Sequence, residues 1–195
     1  MKEIYKQILE KALPLYEKGR EGDVEHIKWL YKIVPKFADK YEIDFDILIP
    51  VVILHDIGYS KVSKGSNPMN LDTRKLHMEE GAKIASEILE GLKYPKNKIA
   101  EIKRLVSKHD NWAFGDNYAD EPVLRLFNNF DMLWVLTKEG FIFYQEILGK
   151  SSIDTYHQIE KDVEVEHKEG RKWFNQKIEE FYKQLMKEHK EGFYV

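Results

Sequence analysis

"ILIPVVILHDIGY", Ile47 to Tyr59, is the most apolar run in the chain, and it ends on two residues that a dry core rejects. Val51, Val52, Ile53 and Leu54 lead without a break into His55 and Asp56. A carboxylate leaving water for an apolar interior costs on the order of several kcal/mol unless it is paired or bound to a cation. The run therefore predicts a buried helix that carries an imidazole and a carboxylate to something positive. Asp44 or Asp46 supplies its N-cap and Gly58 its stop. Pro50 is expected in an early turn, with the regular helix after it. Neighbouring side chains on a helix diverge by about 100°, so His55 and Asp56 share one ion only if it lies against the helix near its C-terminal end.

The rest of the chain supports a helical reading. Its 195 residues are 43% hydrophobic and 33% charged, the profile of a soluble globular protein. That length suits one domain, able to bury about 70% of the surface its unfolded form exposes. A net charge of −3 gives no pull toward a nucleic-acid polymer or an anionic membrane. There is no cysteine, which excludes disulfides and thiolate metal sites, so any metal rests on His, Asp or Glu. "MKEIYKQILEKALPLYEKG" has charges every few residues, unlike a signal peptide, and no run approaches a membrane span. A cytoplasmic protein is the expectation.

Helical periodicity runs from end to end, with no internal repeat and no low-complexity segment. Residues 2–18 place Ile4, Ile8, Leu9, Ala12 and Leu15 on one face. A second helix starts near Asp23, an N-cap, and continues through "VEHIKWLYKIVPKFADKY" with His26, Leu30, Ile33, Val34 and Phe37 in register; Pro35 should bend or split it. The third helix is the opening run, and "SKVSKGSNPMNLD" after it reads as a loop. Further helices are expected from about Thr73 to Leu92, from Lys96 to about His109 and from Pro122 to about Thr137, with two or three more to the end. The class predicted is an all-α, single-domain bundle of about eight helices.

A lone His-Asp pair means little, and "SKHD" at His109–Asp110 repeats it in the same chain. The larger set carries more weight. His26 lies on the apolar face of the second helix, and Asp131 interrupts "VLRLFNNFDMLWVL" between core residues. His77 and His109 fall on two other predicted helices. In chain order these are His, His-Asp, His, His, Asp on five helices, and helix bundles build metal sites from such inward-facing ligands. His157, His167 and His189 sit among Lys and Glu and read as surface.

This order resembles the HD-domain superfamily of metal-dependent phosphohydrolases over roughly residues 20–142. "ILHDIGY" looks like the family's apolar HDIG core, "HMEEGAKIASEIL" like its His-plus-Gly-Ala helix, and "LFNNFDMLWVLTKEG" like the helix carrying the last aspartate, with Gly140 at a helix end. The resemblance implies His26, His55, Asp56 and Asp131 as ligands of one ion. Two-metal members add the equivalents of His77 and His109, with Asp56 bridging. It departs at Tyr59, where many two-metal members have lysine, and in lacking the GYP element of cyclic-dinucleotide phosphodiesterases.

Histidine and carboxylate donors suit one or two divalent ions of Fe, Mn, Co, Ni or Zn. Such an ion lowers the pKa of bound water toward neutrality and supplies hydroxide for attack at phosphorus. The resemblance implies hydrolysis of a phosphate ester of a nucleotide or related small metabolite. Relatives with the same ligands that cleave polyols or phosphonates with O₂, and a non-catalytic metal-stabilised sensor, are the alternatives. Asp56 and Asp110 (the latter as base or as orienter of a histidine) join Lys61 and Arg74 as catalytic candidates. Lys64, Lys75, Lys108 and Trp112 are candidates for substrate binding, the cations meeting a phosphate and the indole a flat group. The partner expected is a small phosphorylated molecule; assembly into a homo-oligomer is compatible with the sequence.

Overall fold

A computed structural model describes residues 2–39 and 42–193, and among them there are nine α-helices and no strand. The class is all-α. Lys40 and Tyr41, predicted to end the second helix, lie outside the described residues, as do Met1, Tyr194 and Val195. The chain divides into two compact units, the first running to Asp116 and the second starting at Asn117.

The first unit holds α1 (Glu3–Tyr16), α2 (Asp23–Ile33), α3 (Phe45–Leu54), α4 (Leu71–Gly91) and α5 (Lys96–Val106). α3 is buried from Leu48 to its last residue and packs against α1, α2 and α5. The buried face of α1 is Tyr5, Ile8, Ala12 and Tyr16, whereas Ile4, Leu9 and Leu15 are half-buried. Two tyrosines displace the aliphatic residues expected there because each pairs its hydroxyl inside: Tyr16 donates to the Ile53 carbonyl at 2.7 Å, and Tyr5 donates to Asp46.

Three helix ends differ from expectation. α2 begins at Asp23, which is its first helical residue rather than its cap; Gly22, at φ 86°, holds the cap position. α2 stops at Ile33, and a 3-10 turn over Val34–Lys36 with Pro35 inside it follows, so the proline splits the segment. α5 ends at Val106, leaving His109 on a turn beyond it.

α3 is regular from Phe45, and Pro50 lies inside it. Asp44 is the cap, its side chain accepting from the Asp46 N–H at 2.8 Å. A proline here removes the hydrogen bond to the carbonyl of Asp46, and the Tyr94 hydroxyl donates to that oxygen at 2.8 Å. A tertiary partner thus relieves a local defect.

The second unit holds α6 (Pro122–Leu133), α7 (Lys138–Leu148), α8 (Ser152–Lys168) and α9 (Gln176–Phe193). A 3-10 turn over Trp134–Leu136 follows α6, and the Thr137 side chain caps α7 by accepting from the Gly140 N–H at 3.0 Å. Gly140 therefore lies in the first turn of a helix, at its N-terminal end. Glycine is required there because a Cβ would stand 2.1 Å from the Trp134 carbonyl oxygen. His189 is half-buried rather than surface: its Nε2 donates to the Leu136 carbonyl, and its ring stacks on Phe141.

Candidate metal centre

His55 and Asp56 fall just past the end of α3, and this frees them from helical divergence. His55 is the C-terminal cap, and Asp56, at φ −92° and ψ 4°, opens a 3-10 turn over Ile57–Lys61. The turn presses on α4. A Cβ on Gly58 would lie 1.9 Å from the His77 carbonyl oxygen and 2.5 Å from the Gly81 nitrogen. Only glycine permits that approach. Gly81 is held less tightly, since its Cβ would sit 3.3 Å from the Gly58 nitrogen and from the His55 carbonyl oxygen. The glycines of "HDIG" and "EEGAK" are thus two sides of one contact, and it sets His77 beside Asp56.

Five predicted residues meet in the first unit. Asp56 Oδ1 lies 3.4 Å from His77 Nε2 and 3.3 Å from His109 Nε2, and the two imidazole nitrogens are 3.1 Å apart. Asp56 Oδ2 lies 3.3 Å from His55 Nε2 and 3.8 Å from His26 Nδ1. All five side chains are buried, none more than 6% exposed. The far ring nitrogens are committed: Nδ1 of His55, His77 and His109 donates to the carbonyls of Val52, Thr73 and Val106 at 3.1, 3.3 and 2.7 Å. A carbonyl only accepts, so in a neutral ring Nε2 carries the lone pair and aims it at Asp56.

That donor set fits a divalent ion. Burial lowers the pKa of His77 despite Asp56, which favours the neutral ring, the form able to ligate a metal through Nε2. Donors about 2.1 Å from a metal, at angles of about 90–110°, stand roughly 3.0–3.4 Å apart. The triangle of Asp56, His77 and His109 measures 3.1, 3.3 and 3.4 Å. Burial alone would raise the Asp56 carboxyl. The charges of His55 and Arg20 and hydrogen bonds from His109 and His55 reverse this and hold it well below the usual carboxylate range. Asp56 is an anion, and a bound cation replaces the protons that otherwise neutralise it.

Arg20, which the sequence did not single out, and Asp23, expected only as a helix cap, belong to the same cluster. Arg20 Nη2 donates to Asp56 Oδ2 at 2.6 Å, and the guanidinium also grips Asp23 Oδ1 at 2.7 Å while lying 4.2 Å from the centre of the Tyr59 ring. His77 stacks on that ring too, at 4.2 Å. Asp23 is 1% exposed, its Oδ2 accepts no hydrogen bond, and burial pushes its carboxyl up to about 7 despite Arg20. Its carboxylate joins His26 and Asp56 in a second group of donors, all within 4.8 Å of one another. The readable signal was the spacing Arg20, Asp23, His26, which puts all three near one helix start. Gly19 lets that loop close on the turn, since a Cβ there would lie 3.3 Å from the Ser60 nitrogen.

The remaining candidates divide. Arg74 and Asp110 are buried and joined to each other at 2.7 Å, and the Trp112 indole donates to Asp110 at 2.9 Å. Lys61, Lys64 and Lys75 are exposed, and Lys108 is half-buried. Asp131 lies in the last turn of α6, in the second unit, and is half-buried. Its charge, with that of Asp162, adds to burial in raising the Glu166 carboxyl to about 7 against Arg171.

A family model for the HD domain matches residues 17–135, more than half of the chain. The chain belongs to the HD domain family. No curated protein and no solved structure matches it. HD domains form a superfamily of mostly metal-dependent phosphohydrolases, and the buried His/Asp group of this HD domain suits a divalent metal. Among the described residues no helix is long and apolar enough to cross a membrane.

Proposed function

We propose that this HD domain hydrolyses a phosphate ester of a nucleotide or a related small metabolite. The observation that carries the reading is the convergence of imidazole nitrogens on one buried carboxylate, Asp56. His55, His77, His109 and Asp56 would hold the metal together with His26, and the family pattern supplies Asp131 as the sixth ligand. When bound, the metal contributes Lewis acidity and an acidified water. The protein does the rest. The Nδ1 bonds to backbone carbonyls fix the imidazoles of His55, His77 and His109, so these rings need no reorientation as charge develops on phosphorus. The buried walls around Asp56 keep bulk water from screening that charge. Arg20 holds Asp56 from behind, and Tyr59 holds Arg20.

Metal analysis of anaerobically purified protein, combined with a screen of nucleotides and sugar phosphates, tests the reading. Metal-dependent release of inorganic phosphate without O₂ uptake is expected, and Asp56→Ala should abolish it while the helical circular dichroism persists. Iron-dependent O₂ consumption on a polyol or phosphonate would replace hydrolysis by the oxygenase reading. Loss of fold with loss of metal, and no turnover in the intact protein, would leave a structural metal in a sensor.

A further inference from the structure

Buried Arg74 and Asp110 form a closed set with the half-buried Trp112 beside the candidate metal centre. Arg74 Nη1 donates to Asp110 Oδ2 at 2.7 Å, Trp112 Nε1 donates to Asp110 Oδ1 at 2.9 Å, and the Arg74 guanidinium lies 4.5 Å from the centre of the Trp112 ring. Each member therefore touches the other two. Both carboxylate oxygens of Asp110 hold a donor, which ill suits a general base. The Arg74 side chain is 9% exposed and bound to that carboxylate, which ill suits a phosphate anchor at an open mouth.

The set also runs parallel to a pair of ligands. Arg74 and His77 lie on one face of α4, and Asp110 directly follows His109. The Arg74–Asp110 pair thus crosses from α4 to the turn beyond α5 alongside the 3.1 Å contact of His77 with His109. Asp110 Oδ2 is 3.7 Å from His77 Nε2, yet Asp110 is not part of the group that Asp56, His77 and His109 form.

We infer that Arg74, Asp110 and Trp112 are positioning residues, a latch that holds His77 and His109 at the spacing of a metal edge and so sets the affinity of that half of the centre. The inference rests on the two-ion form of the proposed function. It predicts a selective effect, because His26 and His55 take no part in the latch. Substituting groups that orient metal ligands typically lowers affinity about 10- to 100-fold.

Equilibrium dialysis of the full chain against Mn²⁺, and titration with Co²⁺ followed by its visible spectrum, read the two half-sites without any substrate. Wild type should bind two equivalents. Asp110→Asn should weaken one of them about 10- to 100-fold and leave the other within twofold. Because Asp110→Asn strands the Arg74 charge and risks the fold, Trp112→Phe is the second probe. It keeps a ring under Arg74 and removes only the N–H, and it should weaken the same equivalent several-fold with an unchanged apo-protein melt. Two equivalents bound with wild-type affinity in both variants would overturn the latch and leave the proposed function standing. Equal weakening of both equivalents would reduce the set to general packing. One equivalent in wild type would overturn the two-ion reading and the latch with it. Unchanged metal binding with a raised KM in Trp112→Phe would make Trp112 a substrate contact instead.

Discussion

His55–Asp56 and His109–Asp110 are the same dipeptide in the same local setting, and they end up with different partners. Each follows a helix of the first unit, and each histidine donates Nδ1 to the carbonyl three residues before it. Each aspartate opens a 3-10 turn in nearly the same backbone conformation, φ −92° and ψ 4° for Asp56 against φ −101° and ψ 11° for Asp110. Each also accepts from an arginine 36 residues earlier, Arg20 or Arg74, whose guanidinium lies over an aromatic ring of that turn. The difference lies in what faces the carboxylate. Imidazoles surround both oxygens of Asp56, whereas Arg74 and Trp112 take the two oxygens of Asp110. Local backbone thus delivers a carboxylate to the interior beside an arginine, and long-range packing decides whether imidazoles or an indole complete its surroundings.

The widest separation between the two turns should appear in turnover. Asp56→Asn removes the charge of the carboxylate on which the imidazoles converge, so metal-dependent phosphate release should fall on the order of 10³-fold or more. Asp110→Asn acts through His77 and His109 and should cost about 10- to 100-fold, with part of the loss recovered at high metal concentration. Initial rates across a Mn²⁺ series separate the two. Equal, metal-independent losses would erase the distinction between them.

Glycines offer a second contrast, read in stability. Gly58 of the first turn faces backbone at 1.9 Å from its Cβ position, which no rotamer change relieves, so Gly58→Ala should destabilise by about 3 kcal/mol. Gly115, which ends the second turn, has open space around it but sits at φ 94°. Gly115→Ala should cost only the left-handed strain, about 1 kcal/mol. Urea unfolding in the presence of a chelator compares them free of metal. A Gly115 variant as damaged as the Gly58 variant would contradict the contact found between the first turn and α4.

The first turn was legible in the sequence and the second was not, for a physical reason. Asp56 ends an apolar run with no neighbour able to neutralise it, so its need for a cation shows in the string itself. Asp110 sits among polar residues, and its partner Arg74 lies in a Lys-rich chain where nothing local separates a buried cation from a solvated one. Arg20 escaped notice for the same reason. Helix ends failed where tertiary contacts overruled local rules: the Tyr94 hydroxyl lets Pro50 sit inside α3. The class, all-α, followed from periodicity, whereas the histidines that converge on Asp56 were singled out by their order along the chain and by the family resemblance, since an imidazole on an apolar helix face is by itself more often a core residue. Trp112, expected as a group for a substrate to stack on, lies against Arg74.

The smallest effect concerns how the two helices leading into these turns begin. α5 starts at Pro95 without a side-chain cap, whereas α3 starts under a cluster in which Asp46 accepts from Lys2 at 2.5 Å, Lys98 at 3.0 Å and the Tyr5 hydroxyl. Partial burial would raise the Asp46 carboxyl, but those three donors outweigh it and hold the group well below the ordinary carboxylate range. A carboxylate depressed in the folded state stabilises above its unfolded pKa, about 4, and that contribution drains away as pH falls toward the folded value. Asp46→Asn should therefore lower the melting temperature by about 2–4 °C near pH 6, in keeping with a partly exposed ion pair, and the gap should close as pH drops below about 4. The loss should fall on α3 and on Lys98 of α5, the one residue of this cluster that belongs to the helix feeding the second turn. A gap that persists at pH 3, or grows there, would mean that Asp46 acts through its shape at the helix start and not through its charge.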